Sequence, residues 1–518
     1  MNEVDRRTIE SGIPGIILME NAAHRVVELL VDKFSPLSAR RIVVVCGRGN
    51  NGGDGFAIAR QLWTRFRPKS IHVILTAPPV DLNRDGGANF KMLQACGCPN
   101  IIPGPLGTIP PDARFADIVI DAVLGTGVNG AAQGVPLDAI RLINTQFPLA
   151  KVVAVDVPSG ISSDTGDLPG EFVRADYTVT FTAYKVGQMM SPAADQMGEL
   201  HLGAIGTPPE MIEKDPAIGL GLVTPGFVAP LFAPRVRESN KGLYGHVLVI
   251  AGSRGKTGAA SMTGLAALRA GAGLVTVATA ASGIGAIAAH TPELMTAPLP
   301  ETEAGTLAAH CYEIILTLAQ KKTIVVIGPG LGIHPETISV VQRLYRSLDI
   351  ISVIDADGLN SMVGSDWTGP GSPRILTPHP GEMARINGKT TEQVQHDRLS
   401  AARDFATSRK VHLVLKGNRT LIADPKGGVL VNPTGTPAMA TGGTGDILTG
   451  LTAGLLAQFH GDEAQITQAV ASAVYLHGLA GEIGAREVGE QPLIATDLLR
   501  FLPNAIGTLV GRTLHGVI

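Results

Sequence analysis

Cysteine and aromatic side chains are scarce in this sequence. Four cysteines in 518 residues cannot form a disulfide framework, and their spacing lacks the pairs of a zinc site, so we interpret them as structural in a reducing compartment. Aromatic residues make up only 4% of the chain, whereas glycine occurs 63 times and hydrophobic residues make up 45%. That composition favours helices packed on a sheet through tight turns over a β-sandwich.

Long apolar runs and runs of positive charge are also missing. The longest apolar-looking stretch, residues 447–459, is interrupted by threonine and glycine and is shorter than the ~20 residues of a membrane span. The first residues carry charges without an uninterrupted apolar segment behind them, so no secretory signal is visible. The net charge is −3, which argues against a nucleic-acid surface. We therefore expect a cytoplasmic protein that binds neither membranes nor nucleic acids.

Short β-branched runs alternate with helical stretches in the first 203 residues. Strands are predicted at residues 41–46, 71–76, 117–121 and 151–156, and helices at 14–34, 56–66 and 136–144. Continuous apolar strands that alternate with helices indicate a parallel sheet covered on both faces. Residues 207–238 are rich in proline, and we interpret them as a linker plus the approach to a second domain, with the boundary between 210 and 225.

A second α/β pattern follows this proline-rich segment. Strands are predicted at residues 246–251, 274–279, 323–327, 351–355 and 411–415, and helices at 259–270, 335–347, 391–408 and 446–459. Domains usually contain roughly 100–200 residues, so a chain of this length needs more than one. The sequence therefore predicts two α/β domains, residues 1–215 and residues 224–518.

Three loops that follow predicted strands in the N-terminal half form the first candidate site. The strand at 41–46 continues into GRGNNGGDG, and Asp121 and Asp156 each end a strand before a loop that contains glycine. In an open parallel sheet, the loops at the carboxyl ends of strands face one ligand crevice. Glycine lets the backbone approach a ligand, and amides at a helix start attract phosphates. The alternative is that each aspartate only caps its own turn.

Several of these segments resemble the NAD(P)H-hydrate epimerase family over about residues 1–210. They are NNGGDG at 50–55, DAVLG from Asp121, DVPSG from Asp156, TF at 180–181 with KVG at 185–187, GIP at 12–14 and LMENA at 18–22. The resemblance implies a Rossmann-like domain, with a parallel sheet between two layers of helices. It also implies a potassium ion held by oxygens around Asn51, Asp121 and Ser159.

The same resemblance assigns roles to residues around the first site. Asp156 is the implied acid and base, which moves protons as the ring of the substrate opens and its hydroxyl-bearing carbon inverts. The implied substrate-binding residues are Asn51, Gly52, Gly53, Asp54, Gly55, Gly125, Thr126, Gly127, Val128, Asn129, Gly130, Ala131 and Asp156.

One position departs from the family pattern. The loop after Asp121 usually carries a basic residue where this chain has Asn129. Loss of that charge is expected to weaken the binding of phosphate and to slow epimerisation. It also leaves open a second hypothesis, in which the N-terminal half is a catalytically idle binding or scaffolding module. In addition, the chain starts abruptly, and we expect a few residues of the family's leading segment to be missing.

The second candidate site centres on MATGGTGD at residues 439–446, directly before an apolar helix. Its glycines and Thr444 leave backbone amides that point towards an oxyanion at the positive end of that helix. Asp446 then lies beside the anion, where it is placed to accept a proton from an attacking hydroxyl. Phosphoryl transfer requires this combination of charge neutralisation and a positioned base. The alternative is a purely structural helix start that is rich in glycine.

Further loops in the C-terminal half end predicted strands. GPGLG at 328–332 permits a ligand to approach closely, KGNRT at 416–420 is placed to cradle a nucleotide phosphate, and DADGLN at 355–360 ends another strand. His379 lies between two prolines, and we interpret it as a ligand contact. Taken in their order along the chain, from about residue 241 to about residue 512, these segments resemble the ribokinase-like superfamily and, within it, the NAD(P)H-hydrate dehydratases.

This second resemblance implies a ribokinase-like α/β domain with a nucleotide site. The implied ADP-binding residues are Lys416, Gly417, Asn418, Arg419, Thr420 and Gly445, and magnesium would neutralise the phosphates. The implied contacts to the hydrated dinucleotide are Ala260, Gly330, His379 and the catalytic Asp446.

Together the two resemblances predict a bifunctional enzyme that repairs NADHX and NADPHX, the hydrated forms of NADH and NADPH. One half would interconvert the R and S epimers. The other would dehydrate the S epimer at the expense of ADP, with release of AMP and phosphate. A homo-oligomer is also implied. The rival hypothesis is a kinase of the ribokinase type acting on a vitamin precursor such as a thiazole or pyrimidine alcohol, which leaves NNGGDG unexplained.

Overall fold

The computed structural model describes residues 1–82, 84–104, 106, 108–127, 130–215 and 217–511, with Arg84 described by its backbone alone. Val128 and Asn129, both predicted to bind substrate, lie outside the described residues. By its internal contacts the chain divides into two compact units, Met1–Ile218 and Gly219–Ile518. Among the described residues, no helix is both long enough and apolar enough to cross a membrane.

The first unit alternates helices and strands from its start. Its helices are α1 (Asn2–Glu10), α2 (Gly15–Phe34), α3 (Asn50–Phe66), α4 (Arg84–Ala95), α5 (Val135–Gln146), α6 (Val186–Met189) and α7 (Glu210–Glu213). Its strands are β1 (Arg41–Cys46), β2 (Ser70–Leu75), β3 (Ile101–Ile102), β4 (Ile118–Ala122), β5 (Lys151–Val155), β6 (Tyr177–Phe181) and β7 (Glu199–Gly203).

These strands form one parallel sheet in the order β3-β2-β1-β4-β5-β6-β7. Alternate residues of β1 enter two different apolar cores. Ile42 and Val44 join one, and Val43 and Val45 join the other. Both faces of the sheet are therefore covered, which confirms the predicted α/β architecture. The strand order reverses between β1 and β4, and such a reversal opens a crevice at the carboxyl ends of the strands.

The string NNGGDG does not precede α3, as the sequence pattern predicted, but forms its first turns. An ideal Cβ on Gly52 would lie 1.9 Å from the carbonyl oxygen of Gly47, and one on Gly55 would lie 2.7 Å from the Cβ of Ala122. The start of α3 therefore packs so tightly against the end of β1 and against β4 that only glycine fits at these positions. Close packing, in addition to ligand approach, explains the glycines.

The second unit contains a larger sheet and most of the long helices. Its helices are α8 (Pro225–Val228), α9 (Thr257–Arg269), α10 (Ile284–His290), α11 (Cys311–Ala319), α12 (Pro335–Ser347), α13 (Asp357–Ser361), α14 (Pro380–Asn387), α15 (Thr391–His396), α16 (Arg398–Arg409), α17 (Thr444–Leu456), α18 (Glu463–Val488) and α19 (Ala495–Leu509). Its strands are β8 (Leu220–Leu222), β9 (His246–Ile250), β10 (Leu274–Ala280), β11 (Met295–Leu299), β12 (Ile324–Ile327), β13 (Ser352–Ile354), β14 (Arg374–Leu376), β15 (His412–Leu415), β16 (Leu421–Ala423) and β17 (Val429–Val431).

The second sheet runs in the order β11-β10-β9-β12-β13-β14-β15-β16-β17-β8. It is parallel from β11 to β15, and then β16 pairs antiparallel with both β15 and β17. The order reverses between β9 and β12, which again places the ligand crevice at the carboxyl ends of the central strands.

One helix predicted in the second half was wrong. Residues 391–408 form two helices instead of one, because the Asp397 side chain accepts a hydrogen bond from the Ser400 backbone amide at 3.0 Å and starts α16. The proline-rich segment 207–238 includes β8, which pairs with β17 and so belongs to the second sheet.

Candidate active sites

A cavity of about 990 Å³ opens at the carboxyl edge of the first sheet, beside the reversal between β1 and β4. This volume is at the upper end of the roughly 300–1,000 Å³ of ligand pockets. Among the predicted site residues, its wall contains Asn51, Asp54, Gly125, Thr126, Gly127 and Asp156. The glycines at 52, 53 and 55 belong to the packed start of α3, and they do not line the cavity, nor do Gly130 and Ala131.

Asp121, Ser159 and Asn51 are linked through the backbone of Leu124. Asn51 and Leu124 line the cavity, whereas Asp121 and Ser159 are buried and do not line it. The Asp121 carboxylate accepts hydrogen bonds from the Ser159 hydroxyl at 2.6 Å and from the Ser159 amide at 2.8 Å. The side chain of Asn51 donates to the carbonyl of Leu124 at 2.9 Å, and the amide of Leu124 donates to the Ser159 hydroxyl at 2.8 Å. Burial raises the pKa of Asp121 to about 6, and the hydrogen bonds oppose that rise. The cluster combines one buried acidic group with neutral oxygens.

Asp156 forms an ion pair that sequence analysis did not assign. The Lys185 ammonium donates to its Oδ1 at 2.5 Å, and the Thr180 hydroxyl donates to the same oxygen at 3.0 Å. The backbone carbonyl of Asp156 accepts a hydrogen bond from the Gln188 side chain at 2.7 Å. Asp156 has a left-handed φ of 67°, a strained conformation for a residue other than glycine. Two neighbouring side chains therefore hold the carboxylate, and a third holds the backbone of the same residue.

In the second unit, Asp446 lies in the first turn of α17 and is surrounded by other charged groups. Burial, followed by repulsion from Asp355, raises its pKa to about 6, and attraction to Lys416 opposes the rise. The helix starts after Gly443, whose φ of 96° is left-handed, and its first amides have no partner within the helix. The arrangement places an acid of raised pKa beside a helix N-terminus.

Lys416 links several of the strand ends in the second unit. Its ammonium donates to Asp355 at 3.0 Å, lies 3.8 Å from Glu382, and would lie 3.4 Å from an ideal Cβ on Gly445. The other oxygen of Asp355 accepts a hydrogen bond from the Thr449 hydroxyl at 2.5 Å. Burial lowers the pKa of Lys416, but attraction to Asp355 and Glu382 outweighs it, so the net direction is upwards. A positive charge is therefore held at the N-terminus of α17.

Arg398 and His477 position these loops, and neither was predicted from the sequence. The Arg398 guanidinium donates to the carbonyls of Leu415 at 3.2 Å and Asn418 at 2.5 Å. Burial lowers its pKa to about 10. Nε2 of His477 donates to the carbonyl of Thr444 at 2.9 Å, and burial lowers the pKa of this histidine to about 4. A neutral imidazole therefore supports the turn before Asp446.

The remaining predicted residues occupy neighbouring strand ends. The carbonyl of Gly330 accepts a hydrogen bond from Ser253 at 2.7 Å, and Ala260 is fully buried in α9. His379 caps α14 by accepting from the Gly381 amide at 3.0 Å. The Lys416 amide donates to the carbonyl of Pro378 at 2.9 Å, which ties the His379 loop to the loop at residues 416–420. Within that loop, the Thr420 hydroxyl donates to the Gly417 carbonyl at 2.9 Å.

The fold and these two site clusters define a two-domain α/β enzyme with a Rossmann-like first unit and a ribokinase-like second unit. Residues 15–187 match the family described as YjeF-related protein N-terminus, and residues 247–504 match the family described as NAD(P)H-hydrate dehydratase. The chain belongs to the family of bifunctional NAD(P)H-hydrate repair enzymes.

Relatives of this family match the chain along almost its whole length. The bifunctional NAD(P)H-hydrate repair enzyme Nnr of Moorella thermoacetica is 41% identical over 516 residues, covering 98% of this chain and 96% of the relative. The enzyme of the same name from Coxiella burnetii is 37% identical over 513 residues, covering 97% and 98%.

The chain is also similar to solved structures, one of which is the ADP/ATP-dependent NAD(P)H-hydrate dehydratase of Bacillus subtilis, co-crystallised with ATP and Mg²⁺. It is 33% identical, has a TM-score of 0.50, and covers 56% of this chain and 99% of that structure.

Proposed function

We propose that this chain repairs hydrated NADH and NADPH in two reactions. The first unit interconverts the R and S epimers, and the second unit dehydrates the S epimer with ADP, releasing NAD(P)H, AMP and phosphate. One observation supports the proposal. A chain that aligns almost end to end with named repair enzymes has a cavity lined by Asp156 in its first unit and, in its second unit, Asp446 close to Lys416 in the first turn of a helix. The epimerase domain is proposed to span residues 1–215 and the dehydratase domain residues 224–518.

In the first unit, Asp156 is proposed to be the group that takes and returns the proton of the ring hydroxyl. Lys185 and Thr180 hold its carboxylate at one oxygen, so the other oxygen is left to reach the substrate. A carboxylate positioned in this way is typically worth about 10²–10⁴ in rate. Asn51 and Asp54 of α3, with the loop at residues 125–131, are proposed to bind the dinucleotide.

Asp121, Ser159 and Asn51 are proposed to hold a potassium ion. Asp121 is fully buried, and the hydrogen-bond donors recorded for its carboxylate are neutral groups. A buried carboxylate without a cationic neighbour carries a large desolvation cost, which a bound cation offsets. A single negative charge among neutral oxygens suits a weakly hydrated monovalent ion better than magnesium, which requires tight octahedral geometry.

The second unit is proposed to activate the ring hydroxyl of the S epimer by phosphorylation. ADP, when bound, supplies a phosphoryl group that turns the poor leaving group hydroxide into phosphate. Asp446 accepts the proton of that hydroxyl, while Lys416 and the first amides of α17 neutralise the phosphate charge. His379, Gly330 and Ala260 are proposed to contact the dinucleotide, and the loop from Lys416 to Thr420 and Gly445 to contact ADP.

Magnesium is proposed to bind to phosphate oxygens of the nucleotide as well as to carboxylates of the protein. Across the described residues, no three histidine, cysteine, aspartate or glutamate side chains cluster in a way that could hold a metal ion. Nucleotide-bound magnesium needs only one or two carboxylates in addition to phosphate oxygens and water. Asp355 and Glu382, both near Lys416, fit that requirement.

The deciding experiment incubates the full chain with separated R and S epimers of hydrated NADH. With ADP and magnesium, NADH absorbance is expected to return from both epimers. Without nucleotide, chromatography is expected to show interconversion alone. Recovery from the S epimer only would favour the hypothesis of an idle N-terminal module. Failure with both epimers, together with phosphorylation of a thiazole or pyrimidine alcohol, would favour the kinase hypothesis.

A homo-oligomeric state is proposed on the basis of the family, and a cytoplasmic location on the basis of the scarcity of cysteine. Light scattering of the purified chain tests the first, and localisation of the tagged chain tests the second.

A further inference from the structure

Helix α1 presents three different faces, and one of them lines the cavity of the first unit. Val4 and Thr8 are buried against the unit. The outward face carries an exposed ion-pair network in which Arg6 contacts Glu3 at 2.6 Å. The third face consists of Asn2, Asp5 and Ile9, which all line the cavity. Their spacing of three and four residues places them on one side of a helix.

The position of α1 is fixed by contacts at its far end. Arg7 donates to the carboxylate of Asp215 at 2.6 Å and to the carbonyl of Met211 at 3.0 Å. The Thr8 hydroxyl donates to the Val4 carbonyl at 2.8 Å within the helix. These contacts hold α1 in place, so that its residues Asn2, Asp5 and Ile9 form part of the cavity lining.

Asp5 lines the same cavity as Asp156 and Lys185, and its carboxyl group is close enough to both for their charges to shift its pKa. Its side chain is half-buried, and no hydrogen bond to another described residue is recorded for it. Burial raises the pKa of Asp5, and repulsion from Asp156 raises it further. Attraction to Lys185 and to the terminal amine of Met1 opposes this rise. Asp54 is a further charge neighbour, because Asp5 contributes to raising its pKa. Asp54 is itself only 9% exposed, which leaves Asp5 as the more accessible of the two carboxyls.

We propose that Asp5 is a second catalytic residue of the epimerase site, acting as the acid where Asp156 acts as the base. The inference rests on the proposed epimerase function. As the ring opens, Asp156 takes the hydroxyl proton, the oxygen forms a carbonyl with its carbon, and the bond from that carbon to the ring nitrogen breaks. The electron pair of that bond goes to the nitrogen, which takes the proton of Asp5.

Ring closure reverses the same steps on the other face. The carbon bearing the carbonyl rotates, Asp5 takes the proton back from nitrogen, and nitrogen attacks the carbonyl from the opposite side. The carbonyl oxygen recovers the proton held by Asp156, so that no proton is gained or lost over the cycle. Two titratable groups in contrasting environments, one paired with an ammonium and one without a partner, are the usual arrangement for such paired roles.

The test compares Asp5→Asn with Glu3→Gln in the full chain. Glu3 is an exposed carboxylate on the same helix, so its variant controls for charge and for any effect on α1. Asp5→Asn is expected to lower kcat for R-to-S conversion by at least about 10², with little change in KM. Dehydration of the S epimer is expected to be unchanged in both variants.

The pH profile supplies a readout that a structural role would not move. Because Asp5 must be protonated to act, conversion by the wild-type chain is expected to fall as pH rises through the pKa of Asp5. In Asp5→Asn, the conversion rate is expected to show no such fall at high pH. In Asp5→Glu, the fall at high pH and part of the wild-type rate are expected to return. If Asp5→Asn proves unstable, the Asp5→Glu variant alone decides.

The inference is overturned if Asp5→Asn stays within threefold of Glu3→Gln, if only KM changes, or if Asp5→Glu restores neither the rate nor the fall at high pH. A wild-type chain that leaves both epimers unconverted would instead refute the proposed epimerase function, and this inference with it.

Discussion

Replacement of Asp446 by asparagine is expected to make the second unit more stable while it removes dehydration. The change keeps the shape of the side chain but removes its charge and its ability to hold a proton. Asp446 is partly buried, and burial and the nearby Asp355 raise its pKa from 3.8 to about 6. Lys416 offsets only part of that cost.

The sign and the size of the stability change follow from this pKa. A group whose pKa is higher in the folded state contributes stability below its unfolded pKa, near 3.9, and loses it as pH rises through its folded pKa. At pH 8 the ionised Asp446 therefore destabilises the fold, and a shift of about two pKa units corresponds to about 3 kcal/mol. Asp446→Asn is expected to recover up to that amount at pH 8 and almost nothing at pH 4.

Urea unfolding measured by tryptophan fluorescence tests this expectation. The chain has two tryptophans, so a Trp63→Phe background leaves only Trp367 to report on the second unit, where it packs between Tyr345 and Phe405. Asp404→Asn, an exposed position on α16, is the control and is expected to change neither property.

Dehydration of the S epimer by the same variants completes the test. Loss of a positioned base typically costs about 10²–10⁴ in rate. An Asp446→Asn chain that dehydrates within threefold of wild type, or that gains no stability at pH 8 relative to pH 4, would refute the reasoning.

Three further predictions concern other positions. Asp156→Asn is expected to abolish R-to-S conversion, measured by chromatography of the epimers, while dehydration of the S epimer continues; a parallel loss of both would contradict two separate sites. Potassium chloride is expected to raise the Tm of the first unit more than choline chloride does, and Asp121→Asn to remove that difference; equal shifts in wild type would argue against the ion. Gly450→Ala would place a Cβ 2.2 Å from the carbonyl oxygen of Thr263 and force α17 away from α9, with a loss of about 1–3 kcal/mol in urea unfolding. The control, Gly285→Ala, has open space around its Cβ and is expected to be close to neutral.

Local patterns in the sequence were sufficient for most of the strands. The predicted strand at 41–46 coincides with β1, and the predicted helix at 335–347 coincides with α12. These elements were predictable because each has a pattern in consecutive residues. A buried parallel strand is a short continuous apolar run, and an amphipathic helix has apolar residues at helical spacing. The positions of Asp121, Asp156 and Asp446 at element ends were visible for the same reason.

The partners of those residues were not predictable, because they come from distant parts of the chain. Lys185 is 29 residues from Asp156, and Lys416 is 61 residues from Asp355. The segments KVG and DADGLN were recognised as family features, but their sequence gave no indication of which side chain faces which. The order of strands in each sheet decides that proximity.

The sequence by itself determined the α/β class, the glycine-rich strand ends and the acidic residues placed there, since each depends on neighbours within a few positions. Only the tertiary structure decided that α3 starts at Asn50, that Asp397 divides residues 391–408 into two helices, and that Asp5 of α1 lines the same cavity as Lys185. Close packing, capping and charge proximity across a sheet edge depend on which elements become neighbours, and the sheet order that sets them is a property of the whole fold.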